Sequence, residues 1–255
     1  MTLYLVRTLL EIPGLMNLGR NRRLPVQKTD LGYLTHCALL EVFGEQAPKP
    51  FAVPRSLGRW AEVLGYATTT PEQLREHAET FAPPHIYNLV RWEEWSHKPM
   101  PDQWQAGRTL GFDIRLCPVV RKSKGVAGRC KPGAEVDAFL SACWDAGDDA
   151  KIDREAIYRT WLAEQLERRG GATLTMSRLK AFQRQRLLRR THAKQQAAKP
   201  RCAHVLERPD ALMEGVLEIV DGERFSSMLR MGIGRHRSFG FGMFLLKPAR
   251  RVPAS

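Results

Sequence analysis

The chain has 255 residues, 43% of them hydrophobic, enough for one large or two ordinary domains with a core in each. Its 40 lysines and arginines against 27 acidic residues leave a formal charge of +13, which points to a nucleic acid or an anionic membrane as partner. No apolar run approaches the roughly 18 residues of a membrane span. Arg7 and Glu11 interrupt the apolar N-terminus, which has no small-residue cleavage site. Neither a membrane partner nor a leader peptide is therefore expected, and the expected location is cytoplasmic. Cys37, Cys117, Cys130, Cys143 and Cys202 form no C-x-x-C pair, and no histidine pair has zinc spacing. They read as reduced thiols filling core positions, with no metal site and no cofactor expected.

In chain order, Leu3 to Ile12 predicts a strand stopped by Pro13-Gly14. A loop carrying Arg20, Arg22 and Arg23 is expected from Leu15 to Thr29. Asp30 then reads as the N-cap of a helix to about Phe43, with an apolar stripe of Leu31, Leu34, Ala38 and Val42. Tyr33, His36 and Leu40 fall on the other side of that helix. Gln46 to Pro54 reads as a loop and Ala61 to Thr68 as a strand. Thr70-Pro71-Glu72-Gln73 is a capping-box pattern with proline at the first helical position, opening a helix to about Phe81. With a further strand over Ile86 to Trp92, residues 1–108 read as a ferredoxin-like βαββαβ domain.

Residues 109–255 repeat the alternation. Strands are expected over Phe112 to Val120, Leu212 to Val220 and Phe241 to Leu246, and helices over Asp153 to Arg168 and Glu223 to Met231. Cys130 to Asp149 reads as loop with a helical turn. The expected fold class is α+β: tandem ferredoxin-like (RRM-like) domains with a basic α-helical insertion in the second. That insertion, from about 170 to 201, lies in a stretch without Asp or Glu between Arg168 and Leu206, and carries Arg178, Lys180, Arg184, Arg186, Arg189, Arg190 and Lys194. A helix of one sign repels itself unless something anionic compensates, so a finger lying along RNA is expected.

A glycine-rich segment, 232–242, precedes the last strand. Gly232, Gly234 and Gly240 alternate with Arg235, His236, Arg237 and Ser238. Glycine lets backbone lie against a ligand, and exposed N–H groups beside basic side chains suit a phosphate backbone. A plain glycine-rich hairpin or helix cap is the other reading. The adjacent acidic pairs Asp148-Asp149 and Glu93-Glu94 would diverge rather than converge on an ion.

The loop G-I-G-x-x-x-S-F-G-x-G at 232–242 and Tyr33-x-x-His36 on the first long helix resemble the CRISPR repeat-processing endoribonucleases of the RAMP superfamily. The strand Phe112-Asp113-Ile114-Arg115-Leu116-Cys117-Pro118-Val119 and the pair Trp161-Leu162 are similar to the CasE-like branch. The arginine-rich loop and the basic insertion depart from the common pattern and suggest a divergent, type IV-like member. The resemblance implies binding of a CRISPR repeat stem-loop and metal-independent cleavage to a 2′,3′-cyclic phosphate and a 5′-OH. It also implies retention of the product in an effector complex with other subunits.

Such chemistry requires a base for the ribose 2′-OH, an acid for the leaving oxygen and charge stabilisation of the phosphorane. His36 and Tyr33, at i and i+3, share a helix side and suit the proton transfers. Arg22 and Arg23 could stabilise charge, or take the leading role if His36 points elsewhere, and His236 is a second acid–base candidate. A non-catalytic crRNA-binding scaffold of the same fold and a general basic RNA-binding protein remain as alternatives.

Overall fold

Eight residues, with Val6, Thr8, Leu9 and Leu10 buried, form β1 (Tyr4–Glu11), which runs directly into α1 (Ile12–Asn21). The first part of the loop expected over Leu15 to Thr29, up to Asn21, is thus a helix. Proline is compatible with a first helical turn, where its missing N–H has no intrahelical partner, and Leu15 and Leu18 are buried beneath α1. α2 (Leu31–Phe43) follows, with Leu34, Ala38 and Val42 buried as the stripe predicts; Asp30 occupies the N-cap position without a side-chain capping bond.

β2 (Phe51–Leu57) replaces the expected loop over 46–54, pairing with β3 (Trp60–Ala67) through a register shift between Ala52 and Arg55. Pro54 sits at that irregularity in an edge strand, where a missing donor is tolerated. α3 (Pro71–Phe81) carries the expected capping box between Thr70 and Gln73. The strand expected over 86–92 is instead a single helical turn, α4 (Pro84–Tyr87), with Val90 making only an isolated bridge to Leu10. The fourth strand is β4 (Ser96–Pro99), four exposed residues that no apolar alternation marks.

β5 (Thr109–Leu116) opens the second half. The hairpin of β6 (Val119–Lys122) and β7 (Ala134–Asp137) leads to α5 (Ala138–Ala146) and α6 (Arg154–Arg169). The long strands β8 (Ala172–Arg190) and β9 (Ala203–Ile219), then α7 (Gly222–Met231) and β10 (Phe244–Pro248), complete the chain. The computed structural model describes residues 2–28, 30–147, 151–190 and 203–249.

Two units result. One holds Met1–Pro101, Arg184–Arg208 and Ser238–Gly240; the other holds Asp102–Gln183, Pro209–Arg237 and Phe241–Ser255. The sheet orders are β2-β3-β1-β4 and β10-β5-β9-β8. In each, the second, third, first and fourth strands of the unit lie side by side. Helices connect first to second strand and third to fourth, which is the ferredoxin-like arrangement twice over. The first core gathers Val6, Leu10, Leu15, Leu34, Ala38, Val42, Phe43, Leu74 and Leu188. The second unit buries Phe112, Ile114, Tyr158, Leu162, Met213, Leu217, Phe225 and Phe244.

The basic helical finger is corrected over its described part: Ala172–Arg190 is a 19-residue strand, and 191–201 lie outside the described residues. Helix propensity is a matter of tenths of a kcal/mol per residue and yields to tertiary pairing. A strand also throws successive cations to opposite faces, and its neighbours supply the missing anions. The Arg178 guanidinium pairs with Glu214. The Lys180 ammonium lies 3.4 Å from both Asp113 and Glu214, and Lys247 lies 2.9 and 3.2 Å from the same two carboxylates. β8 is an edge strand, and α6 meets its free groups: Arg159 donates to the Ser177 carbonyl at 3.2 Å and the Leu179 N–H donates to Glu155 at 3.1 Å.

Candidate active site

In the first unit, α1 and α2 approach closely at Gly19, where a Cβ would stand 2.5 Å from Val26 and 2.8 Å from Leu34. α1 closes by folding back: the Arg23 N–H donates to the Arg20 carbonyl at 2.8 Å and the Leu24 N–H to the Gly19 carbonyl at 2.9 Å. This turn holds Arg23 at φ 54°, a left-handed conformation unfavourable for an arginine. The fold-back carries Arg22 to α2, where its guanidinium pairs with Glu41. Arg23 is exposed, and its side chain has no ion-pair partner among the described residues.

Tyr33, His36 and Cys37 face this corner from α2. The Tyr33 and His36 rings lie 6.2 Å apart between centroids, tilted by 40°. Burial, reinforced by the cations of Lys49 and Arg22, holds the half-buried His36 imidazole below its usual pKa. It is therefore neutral at pH 7, with a ring nitrogen able to accept a proton. Burial pushes the Cys37 thiol up, against the pull of Arg22 and Tyr33, and the thiol stays protonated.

Residues Ser238–Gly240 of the glycine segment belong to this same unit. Phe239 stacks on Tyr33 at 5.2 Å, and its carbonyl would lie 2.2 Å from a Cβ at Gly32. Two features singled out separately in the sequence, the Tyr33-x-x-His36 helix and the tip of the glycine loop, thus meet at one place. Lys49 was missed. It stands in the proline-rich stretch read as a featureless loop, and only its electrostatic effect on His36 marks it.

The remainder of the glycine segment lies in the second unit and is internally bonded. The Gly232 N–H donates to Met228, Ile233 to Gly242 and Gly242 to Arg115, so these amides are not presented to an anion as expected. Glycine is required at Gly242, with φ 80° and the Ile233 carbonyl 2.0 Å from a Cβ, and at Gly234, where Trp161 would be 2.9 Å away. Arg235 and His236 both engage Glu135 of β7, at 2.7 and 3.0 Å. The His236 side chain is 9% exposed, which leaves it little access to a substrate. Arg237 donates to the Met231 carbonyl, and Ser238 is exposed.

Of the strand cations, Arg178 and Lys180 are held in the carboxylate network. Arg184 is exposed, 3.8 Å from Glu207, and Arg186 is exposed without an ion-pair partner among the described residues. Lys194 lies outside the described residues, as do the side chains of Arg189 and Arg190. Asp148 and Asp149 are likewise outside them, while Glu94 pairs with Arg91 at 3.0 Å. Among the described residues, no three histidine, cysteine or acidic side chains are grouped to hold a metal ion, and no helix is long and apolar enough to cross a membrane.

No curated protein matches the chain. Among solved structures, the CRISPR endoribonuclease Cse3 bound to a 19-nucleotide RNA aligns over 97% of this chain and 100% of that one, at 19% identity and TM-score 0.64. The CRISPR-associated protein Cas6e of Escherichia coli K-12 aligns over 96% and 100%, at 18% identity and TM-score 0.59. A chain of a CRISPR RNA-guided surveillance complex aligns over 96% and 100%, at 13% identity and TM-score 0.55. At these identities the likeness is one of fold: the tandem ferredoxin-like architecture. The model of the family described as CRISPR associated protein matches residues 3–248, nearly the whole sequence, and the chain is a member of that family.

Proposed function

We propose that this protein matures CRISPR RNA: it binds the repeat stem-loop of the precursor and cuts it by transesterification at the corner of α1 and α2. Its solved relatives include an endoribonuclease bound to RNA and a subunit of an RNA-guided surveillance complex. The observation that carries the reading is His36, neutral at pH 7, beside Tyr33 and within the field of Arg22 and Lys49.

His36 accepts the proton of the 2′-OH next to the scissile phosphate. The resulting alkoxide attacks phosphorus, the P–O5′ bond breaks, and the products are a 2′,3′-cyclic phosphate and a 5′-OH. The 2′-OH is the nucleophile, so no metal-bound water is required. Tyr33, or the protonated His36 after the first transfer, returns a proton to the leaving 5′ oxygen. Arg23, a cation at this corner with no ion-pair partner among the described residues, stabilises charge on the phosphorane, while Glu41 reduces the charge Arg22 can offer. The exposed Arg184 and Arg186 grip the stem's phosphates by shape rather than sequence, since the A-form major groove is too narrow to read. Arg178, Lys180, Arg235 and Arg237 contribute as their internal partners release them. The product remains bound, and other effector subunits assemble around it.

The test is incubation with repeat RNA in EDTA, with and without 2′-deoxyribose before the scissile phosphate. Cleavage in EDTA that stops with the deoxy substrate is expected, and His36→Ala is expected to slow it by about 10²- to 10⁴-fold while binding persists. Cutting of the deoxy substrate, or a need for magnesium, overturns the chemistry. Binding without any cleavage identifies a scaffold.

A further inference from the structure

A cleft of about 700 Å³ opens on the first unit between Trp60 of β3, Arg75 of α3 and the segment from Tyr87 to Glu93. Its walls are planar groups. Tyr87 and Trp92 stack at 4.8 Å, and the Arg75 guanidinium lies 5.7 Å from the Trp92 ring centre. Arg91 and Arg59 lie 5.5 and 6.0 Å from the centre of Trp60. The Trp92 indole N–H donates to the Tyr87 carbonyl at 3.0 Å, which fixes that ring in place.

Charge decides what this cleft takes. Each arginine has its own carboxylate: Arg75 with Glu79 at 2.9 Å, Arg91 with Glu94 at 3.0 Å, and Arg59 with Glu11. Glu93 adds a further negative charge at the rim. On a chain of net charge +13, this is a locally neutralised spot, so it has little to attract a phosphate. It offers flat guanidinium and indole surfaces, with the Asn88 amide and the Glu93 carboxylate beside them. Stacking planes with a donor and acceptors at the edge suit an unpaired nucleobase. Phe43, at the end of α2, meets Trp92 edge-on at 6.2 Å, which puts the cleft about 10 Å along that helix from His36.

We propose that this cleft is a stacking site for one unpaired nucleobase of the bound RNA, in the single-stranded sequence that flanks the stem-loop. The proposal rests on the RNA-binding reading above. It adds a contact that carries no phosphate recognition and tolerates any base, because every base has a π face.

The test compares a bare repeat stem-loop with one carrying single-stranded extensions on both sides, each with 2′-deoxyribose at the cleavage position so that it stays whole. The extended RNA is expected to bind at least about fivefold more tightly, which is the lower end of one base stacked on an aromatic group. An abasic site in the extension, Trp60→Ala, or Arg91→Ala at an exposed position should each remove that gain and leave bare stem-loop affinity unchanged. The gain should persist at higher salt, because no counterion release accompanies it. An extension that adds nothing while the bare stem-loop binds overturns the stacking site alone. So does a gain that survives both protein variants and the abasic RNA, or a variant that loses a protein partner with RNA affinity intact. A bare stem-loop that does not bind takes down both readings.

Discussion

Glu214 of β9 is where the stability of the second sheet and its proposed grip on RNA can be separated. Burial works against its ionised form, but Arg178, Lys247 and Lys180 outweigh this and draw its pKa down to about 2. An unfolded glutamate titrates near 4.3, so the difference corresponds to about 3 kcal/mol at pH 7. The side chain is 17% exposed and its partners 38% to 71%, so solvent screening leaves roughly 1–2 kcal/mol. Glu214→Gln should therefore lower the urea unfolding free energy by that amount at pH 7. Because the folded pKa is depressed, the contribution is complete above the unfolded value. It is lost as pH falls from about 4.3 toward 2, where variant and wild type should converge. The same substitution releases Arg178 from Glu214 and leaves Lys180 and Lys247 with Asp113, so RNA should bind more tightly and with a steeper salt dependence. Equal stability at pH 7, or a loss that persists unchanged at pH 2, would refute the network; lost stability with unaltered RNA affinity would show that these cations do not reach the RNA.

Three further outcomes follow from the proposed active corner and the glycine segment. The cleavage rate should rise with pH through a value below the usual 6.5 of histidine and then level off. Lys49→Met removes one cause of the depression and should move that limb upward; an unmoved profile would exclude His36 as the base. Arg23→Gly relieves a left-handed arginine, so it should leave stability unchanged or raised by about 1 kcal/mol while slowing cleavage, and a stability loss would refute the strain assignment. Gly242→Ala places a Cβ 2.0 Å from the Ile233 carbonyl in a left-handed turn, and should cost about 2–5 kcal/mol in urea unfolding; a near-neutral result would mean that the turn relaxes freely.

Local chemistry alone was enough for several elements. Thr70-Pro71-Glu72-Gln73 starts α3 because the cap is made by residues three apart, and the Leu34, Ala38, Val42 stripe defines the buried face of α2 through its spacing. The repeated strand–helix alternation, the charge of +13, and Tyr33 and His36 on one helix side were equally legible. What depended on distant partners was not. The run from Ala172 to Arg190 favours a helix by propensity and becomes a strand because β9 pairs with it and Glu214 and Asp113 neutralise its cations. β4 carries no pattern of its own and exists because β1 offers it an edge. Likewise Glu41 quenching Arg22, Glu135 holding Arg235 and His236, and Phe239 resting on Tyr33 join residues far apart in sequence. Caps and periodicity act over a few residues and can be read along the chain. Strand pairing and charge compensation are settled by whichever segments the fold brings together.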